Sequence, residues 1–228
     1  ARRVVLVVAP SAAPTDRDAL RQLLADAGAT VTGELDLTDA IVDPARADAL
    51  RDLTTRLLPA GAQLPTATDS GGLVGGLLGS VLLAPTGSRA QPAANQVTAA
   101  LTGLTQAGFV RPGAQPAPAQ LVVVLTGGAE SGGFAAERAA TVARMSSELD
   151  RAGGGAVLAG RDGSATGAVG VARADSTISA KLSTVDDVQS SAGQVAAVLA
   201  LRERLAGRTG QFGTAEGSQG PIPGTSAG

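Results

Sequence analysis

Five short segments of the chain have the apolar, β-branched character of buried strands. They are RRVVLVVAP from Arg2, TVTGELDL from Thr30, QLVVVLTGG from Gln120, AVLAG from Ala156 and AKLSTV from Ala180. The first and third contain unbroken apolar runs without the polar alternation of a half-exposed strand. Such runs are typical of strands that are buried on both faces of a parallel sheet.

Between these segments, apolar residues recur every three or four positions, which predicts amphipathic helices. The first helix is expected within PTDRDALRQLLADAG, with Thr15 as its N-cap, Asp18 three residues later and Gly28 at its end. Further helices are predicted in PARADALRDLTTRLLP, NQVTAALTGLTQAGF, FAAERAATVARMSSELDRA and SAGQVAAVLALRERLAG. The stripes that carry these predictions include Leu20, Leu23, Leu24 and Ala27; Leu50, Leu53 and Leu57; Val97, Leu101 and Leu104; and Val142, Met145 and Leu149.

The order of these elements predicts the fold class. Strand, helix and strand within residues 1–37 form a βαβ unit, which implies parallel strands and a right-handed crossover. The same succession returns after the Pro-rich connector RPGAQPAPAQ. We therefore predict a Rossmann-like α/β fold with a doubly wound, mostly parallel sheet flanked by helices. Residues 1–213 are predicted to form a single domain of two βαβ-like halves. Residues 214–228 are rich in Gly, Pro and Ser and are predicted to be a disordered tail.

The stretch GGLVGGLLGSVLLA, residues 71–84, raises the question of a membrane span because it carries no charge. A spanning helix needs about 20 mostly apolar residues, so fourteen residues with five glycines favour a buried segment packed on the core. Gly71, Gly75 and Gly79 recur every four residues and predict one smooth helical face for close packing. We expect no direct membrane insertion by this segment.

Composition excludes several classes of function. The chain has three Phe, no Trp and no Tyr, so it lacks the aromatic platforms on which bases and sugars stack. With 18 Lys and Arg against 20 Asp and Glu, its net charge is −2, and no basic block is present. Nucleic acid is therefore not an expected partner.

Two loops that follow predicted strands resemble cofactor-binding loops only superficially. LTGGAESGGF, residues 125–134, places glycines between a strand and a helix, yet it has no Lys and Glu130 would repel phosphate. In APSAAPTD, proline stands where a dinucleotide fold needs glycines. Both are interpreted as plain turns, and no cofactor is expected.

The most polar clusters at predicted strand ends are AGRDGSATG and STVDDV, which contain Arg161, Asp162, Asp186 and Asp187. Ligand crevices of open parallel sheets lie at the carboxyl ends of strands, so these four residues are candidate ligand-binding residues. The alternative is a structural Arg–Asp pair, with the Asp residues starting turns and helices. In that case Asp162→Ala is expected to cost stability. The sequence shows no nucleophile elbow and no His-paired base, so no catalytic residue is predicted.

The chain contains few of the side chains that bind copper in proteins. Cu(I) prefers thiolate and thioether ligands and Cu(II) prefers imidazole, whereas the chain has no Cys, no His and a single Met, Met145. Hard oxygen ligands remain, which suit Ca²⁺ or Mg²⁺, and no EF-hand spacing is present. We predict no metal site.

Several segments resemble one family. LAGRDGSATGAVGVARAD, STVDDVQSSAGQVAAVLAL and the closing GQFGT are similar to the actinobacterial copper transporter family typified by mycobacterial copper transport protein B (MctB). LLPAGAQLPT and QAGFV fit the same pattern, and the likeness covers nearly all of residues 2–214. Family members combine an N-terminal membrane helix, a coiled coil and an extracytoplasmic domain. The chain starts without Met and shows no signal peptide. The resemblance therefore implies the extracytoplasmic, cell-envelope domain of a protein whose membrane anchor and coiled coil, a route to a homodimer, are not in this sequence.

The resemblance implies two roles. One is copper efflux or copper resistance in the outer envelope. The other, that of the corynebacterial member SteB, is partnership with the membrane protein SteA to control a peptidoglycan hydrolase during cell separation. Because the residues supply neither catalytic nor soft copper-binding groups, we expect a non-enzymatic domain that acts through an envelope protein partner. Copper efflux is the alternative, and a cryptic small-ligand or enzyme site at the strand ends is the second alternative.

Overall fold

A computed structural model describes residues 2–86 and 90–224. The predicted tail, residues 214–228, thus lies partly outside the described residues. Six strands form one sheet in the order β2-β1-β3-β4-β5-β6, and all neighbouring strands run parallel. The strands are β1 (Arg3–Val8), β2 (Thr30–Asp36), β3 (Leu121–Leu125), β4 (Ala156–Ala159), β5 (Ser183–Val185) and β6 (Gln211–Phe212).

Eight α-helices accompany the strands within the described residues. They are α1 (Pro14–Asp26), α2 (Ala47–Leu57), α3 (Ser70–Leu82), α4 (Ala94–Gln106), α5 (Ala135–Ala152), α6 (Ala168–Ala174), α7 (Ser176–Ser179) and α8 (Ser191–Leu205). Five of them are the amphipathic helices that apolar spacing predicted, and α3 is the glycine-rich stretch. The α/β, Rossmann-like fold class is therefore confirmed.

Each face of the sheet carries its own core because alternate side chains of a strand point to opposite faces. Val5 and Val7 of β1 join the larger core, to which α2 to α7 contribute. Val4 and Leu6 join the other, which α1 and α8 cover. β3 and β4 are buried along their whole length, as expected for internal strands of a doubly wound sheet.

The glycine-rich stretch is the buried helix α3, and its predicted packing face is confirmed. A Cβ placed on Gly71 would lie 2.6 Å from the carbonyl oxygen of Thr141, and one on Gly75 would lie 2.7 Å from that of Met145. Both partners belong to α5, so the two helices approach closely along the line of small residues. Among the described residues, no helix combines the length and apolar character that a membrane crossing needs.

Two local predictions differ from the structure, and some short elements were not predicted. α1 starts from Ala13 as N-cap with Pro14 at the first helical position, so Thr15 is not the N-cap. Proline has no N–H to satisfy and its φ is already helical, which explains its place there. The segment AKLSTV forms a strand only over Ser183–Val185. The short helices α6 and α7 were not predicted.

Other parts of the chain cover both edges of the sheet. Along β2, the N–H groups of Ala117 and Arg111 donate to the carbonyl oxygens of Thr32 (3.1 Å) and Asp36 (2.8 Å). Along β6, the N–H of Gln219 donates to the carbonyl oxygen of Gln211 at 2.6 Å. Residues 213–220 thus run back over the second edge.

Part of the segment predicted as a disordered tail makes specific contacts. The N–H of Thr214 donates to Asp186 Oδ1 at 2.8 Å, and Ile222 packs against the core that α1 and α8 cover. The low-complexity composition of this segment gave no sign of these contacts. Residues 225–228 lie outside the described part of the chain.

Candidate functional site

The carboxyl edge of the sheet is where this fold positions a ligand site. Residues 9–13, 126–134, 160–163 and 186–190 follow β1, β3, β4 and β5 at this edge. The chain winds in opposite directions from β1 and from β3, so the topological switch point lies between the first two of these loops.

At the switch point the two loops touch. The N–H of Gly127 donates to Ser11 Oγ at 3.1 Å, and the hydroxyls of Ser11 and Thr126 lie 3.3 Å apart. A Cβ on Gly127 would lie 2.5 Å from the carbonyl oxygen of Ser11. The loops after β1 and β3 are therefore joined to each other at the switch point.

Arg161, the first candidate residue, is held by a carboxylate outside the predicted cluster. Its Nε lies 2.8 Å from Asp16 Oδ2, in the first turn of α1. The Asp16 side chain is 5% exposed and that of Arg161 is 43% exposed, so the carboxylate is buried while the Arg161 side chain stays partly in contact with solvent. Arg161 therefore belongs to a structural Arg–Asp pair. Sequence reasoning missed Asp16, which is separated from Arg161 by most of the chain.

Asp162 has an exposed side chain and is not the partner of Arg161. Its backbone N–H donates to Gln189 Oε1 at 2.9 Å, which ties the loop after β4 to the loop after β5. Because Asp16 pairs with the Arg161 guanidinium, Asp162→Ala would not leave Arg161 without its carboxylate partner.

Asp186 is buried in an ion pair with Arg173 of α6. Their Oδ2 and Nη1 atoms are 2.7 Å apart, and the side chains are 1% and 9% exposed. The other Asp186 oxygen accepts hydrogen bonds from the N–H groups of Thr214 and Ala215. Arg173 also donates to Thr184 Oγ1 (2.9 Å) and to the carbonyl oxygen of Phe212 (2.8 Å). This network joins α6, β5, β6 and the segment that follows.

Asp187 starts the last helix. Its Oδ2 accepts a hydrogen bond from Ser190 Oγ at 2.9 Å, and Ser190 Oγ accepts one from the N–H of Gly193 in the first turn of α8. Burial raises the pKa of the Asp187 carboxyl, the hydrogen bond from Ser190 opposes that shift, and the charge of Asp186 adds to it. Asp187 thus holds the hydroxyl of Ser190, and that hydroxyl caps the N-terminus of α8.

The four candidate side chains thus do not meet in one crevice. Arg161 reaches towards α1, and Asp162 faces solvent. Asp186 points towards Arg173 and β6, while Asp187 turns to the start of α8. The adjacent strand ends bring the backbones of these loops together, but the four charged side chains point to different parts of the structure.

The loop after β3 presents a residue that sequence reasoning missed. Phe134 is 63% exposed, whereas Phe109 and Phe212 are buried. Its φ of 63° and ψ of 18° lie in the left-handed region, and it is the one non-glycine residue with positive φ among the described residues. In the sequence, Phe134 follows Gly132 and Gly133, a pattern that does not distinguish an exposed ring from a buried one.

Within the described residues, no group of three or more His, Cys, Asp or Glu side chains is arranged to hold a metal ion. The single sulfur ligand, Met145, is buried in the α3–α5 contact at 1% exposure. The carboxylates of Asp16 and Asp186 are paired with arginines. The donor set offers a copper ion neither thiolate nor imidazole.

Comparison with known proteins gives a consistent result. A family model described as "Copper transport outer membrane protein, MctB" matches residues 1–223. "Copper transporter MctB" of Mycobacterium leprae is 39% identical over 94% of this chain and 71% of its own length. The proteins of the same name from Mycobacterium bovis and Mycobacterium tuberculosis H37Rv are each 38% identical, over 95% of this chain and 71% of theirs.

Proposed function

The chain belongs to the family described as copper transport outer membrane protein, MctB, and from this premise we propose that it is a non-enzymatic domain of the cell envelope that acts by binding a protein partner. We place it on the extracytoplasmic side, in a protein held by a membrane anchor. The partner we propose is a membrane protein of the SteA kind, and the process is cell separation through a peptidoglycan hydrolase.

The observation that carries this proposal is the use of polar side chains at the carboxyl edge of the sheet. Arg161 is paired with Asp16, and Asp186 with Arg173. At the switch point, Ser11 accepts a hydrogen bond from the N–H of Gly127. An enzyme or small-ligand site needs convergent polar groups around an open crevice, and here those groups bond to one another. Recognition through the outer surface of loops and helices fits this arrangement better.

A strain that lacks this protein is expected to separate poorly at division and to keep its normal copper tolerance. The physical reason is that the domain would act through a partner and would not handle the metal. Cell-chain length by microscopy and growth over a range of copper concentrations are the measurements. Loss of copper tolerance with normal septation and separation would contradict the proposal. Complementation with the full-length gene is the control.

Copper efflux is the second candidate function, because the family description and the names of the relatives state copper transport. Copper would be the cargo. The residues of this chain do not fit it well, since carboxylates and one buried Met are its available ligands. Copper handling would then require another part of the full-length protein or a partner.

Calorimetric titration of this domain is expected to show no Cu(I) or Cu(II) site tighter than about micromolar, because oxygen ligands compete poorly for these ions. Cu(I) should be added under anaerobic conditions with a competing chelator. A Met145→Leu variant is the matched control, because it removes the one sulfur and keeps a similar volume. A tight, stoichiometric site would favour the copper-handling role.

A further inference from the structure

We infer that the loop of residues 130–134, named here the Phe134 loop, is a preformed docking element that inserts the Phe134 ring into a neutral, apolar pocket of the protein partner. This inference rests on the proposed function and specifies the surface through which the domain would act. The pocket is expected to be about the size of one phenyl ring.

The first argument is the position of the ring. Phe134 directly precedes α5 and is 63% exposed, in a chain that buries its other two Phe residues. A Cβ added to Gly132 or Gly133 would meet no atom within 4 Å, so the tip of the loop stands clear of the domain. Aromatic side chains are enriched among the residues that dominate binding at protein interfaces.

The second argument is that the loop is held in shape. Arg138, one turn into α5, donates to the carbonyl oxygens of Gly133 (3.1 Å) and Ser131, and its Nε lies 3.3 Å from Glu130 Oε2. One guanidinium therefore contacts three residues of the loop. Order of this kind reduces the entropy that a loop loses on binding.

The third argument is that this conformation is unfavourable for the folded domain alone. A bulky residue with positive φ is strained, and strain of this kind persists where the surrounding structure imposes it, often at functional positions. The N-cap position before α5 prefers Ser, Asp or Asn, and Phe134 supplies no side-chain cap. A residue chosen for stability would be Gly or Asn.

The chemistry of the loop specifies the occupant. Residues 131–134, SGGF, carry no charge, and Glu130 is paired with Arg138 at the base of the loop. A neutral, apolar pocket complements this tip. An anionic lipid surface does not, because the chain has a net charge of −2 and one exposed ring is a weak anchor.

The experiment compares Phe134 variants of the full-length protein. Phe134→Asn is expected to raise the melting temperature of the purified protein by about 2–6 °C, because Asn tolerates the left-handed region. The same variant is expected to weaken binding to the partner by about 30-fold or more, the loss typical of a dominant interface residue. Phe134→Tyr keeps the ring and should retain binding. Phe134→Ala keeps the strain and should lose binding without the thermal gain.

The partner is identified by replacing Phe134 with the photocrosslinking residue p-benzoylphenylalanine in cells, with Val195, also exposed, as the matched control position. One protein crosslinked at 134 and not at 195, whose purified form binds wild type and not Phe134→Asn, is the expected result. A partner whose binding survives Phe134→Asn overturns the inference and leaves the proposed function standing. If neither position captures a partner, both the inference and the proposed function are overturned.

Two other occupants are measured in parallel. A dimer of the purified protein in light scattering that dissociates in Phe134→Asn would assign the pocket to a second copy of the chain. Binding to vesicles of phosphatidylglycerol and phosphatidylcholine that requires Phe134 would assign the ring to a lipid surface. Either result overturns the inference.

Discussion

Asp186→Ala is expected to lower the free energy of unfolding by about 3–5 kcal/mol, the cost of leaving one partner of a buried ion pair alone. Arg173 is 9% exposed, so its guanidinium cannot regain full hydration. The N–H groups of Thr214 and Ala215 lose their acceptor as well. For a domain of this size the melting temperature should fall by about 6–20 °C, measured by circular dichroism.

Asp162→Ala is the matched control, because it removes an exposed carboxylate from the neighbouring loop. Its unfolding free energy should lie within about 0.5 kcal/mol of wild type. The double variant Arg173→Met with Asp186→Leu should recover part of the loss, since removal of both charges leaves neither unpaired. Should Asp186→Ala be as stable as wild type while cells that carry it lose function, the strand-end cluster would have to be reconsidered as a ligand site.

Gly75→Ala is expected to destabilise the domain by about 1–3 kcal/mol, although alanine is the better helix former. The added Cβ would lie 2.7 Å from the carbonyl oxygen of Met145 and 2.9 Å from its Cα. These are backbone atoms of α5, so relief requires the two helices to move apart. Urea unfolding monitored by circular dichroism measures the effect.

Gly103→Ala provides the comparison within another helix. Its Cβ would approach the two terminal methyl carbons of Leu57 at 2.7 and 2.8 Å, and these can move by a rotamer change. The gain in helix propensity, about 0.5–1 kcal/mol, should then offset the contact. Equal effects of the two substitutions would show that the close α3–α5 approach is not what Gly75 protects.

The parts of the fold that the sequence predicted well are those in which one local pattern determines the environment. An unbroken apolar run such as β3 favours burial on both faces, and a four-residue glycine repeat such as that of α3 favours a flat packing surface. α6 was missed because its seven residues are few and mostly small, so they show no apolar stripe. α7 was missed because it has only four residues. The bounds of β5 within AKLSTV could not be predicted, because its three residues are too few to show a periodicity.

The candidate site was less predictable because side-chain partners are chosen in three dimensions. One of the two interpretations of the sequence gave Arg161 a carboxylate partner. Nothing in the local sequence could select the distant Asp16 over Asp162, the residue next to Arg161. The buried network of Asp186 required Arg173, which no motif in the sequence marks. Exposure of Phe134 has no sequence signature, since an aromatic residue after a glycine pair is equally compatible with a core position.

The covered edges of the sheet bear on how this domain behaves among crowded neighbours. Open edge strands recruit one another through main-chain hydrogen bonds and lead to aggregation. Here the chain itself supplies N–H donors to Thr32, Asp36 and Gln211 along the two edges. Within the described residues, the edges therefore offer only short runs of backbone to another molecule. A domain of this kind can be kept at high local concentration with little tendency to polymerise, and its associations depend on side chains, which mutation can tune one residue at a time.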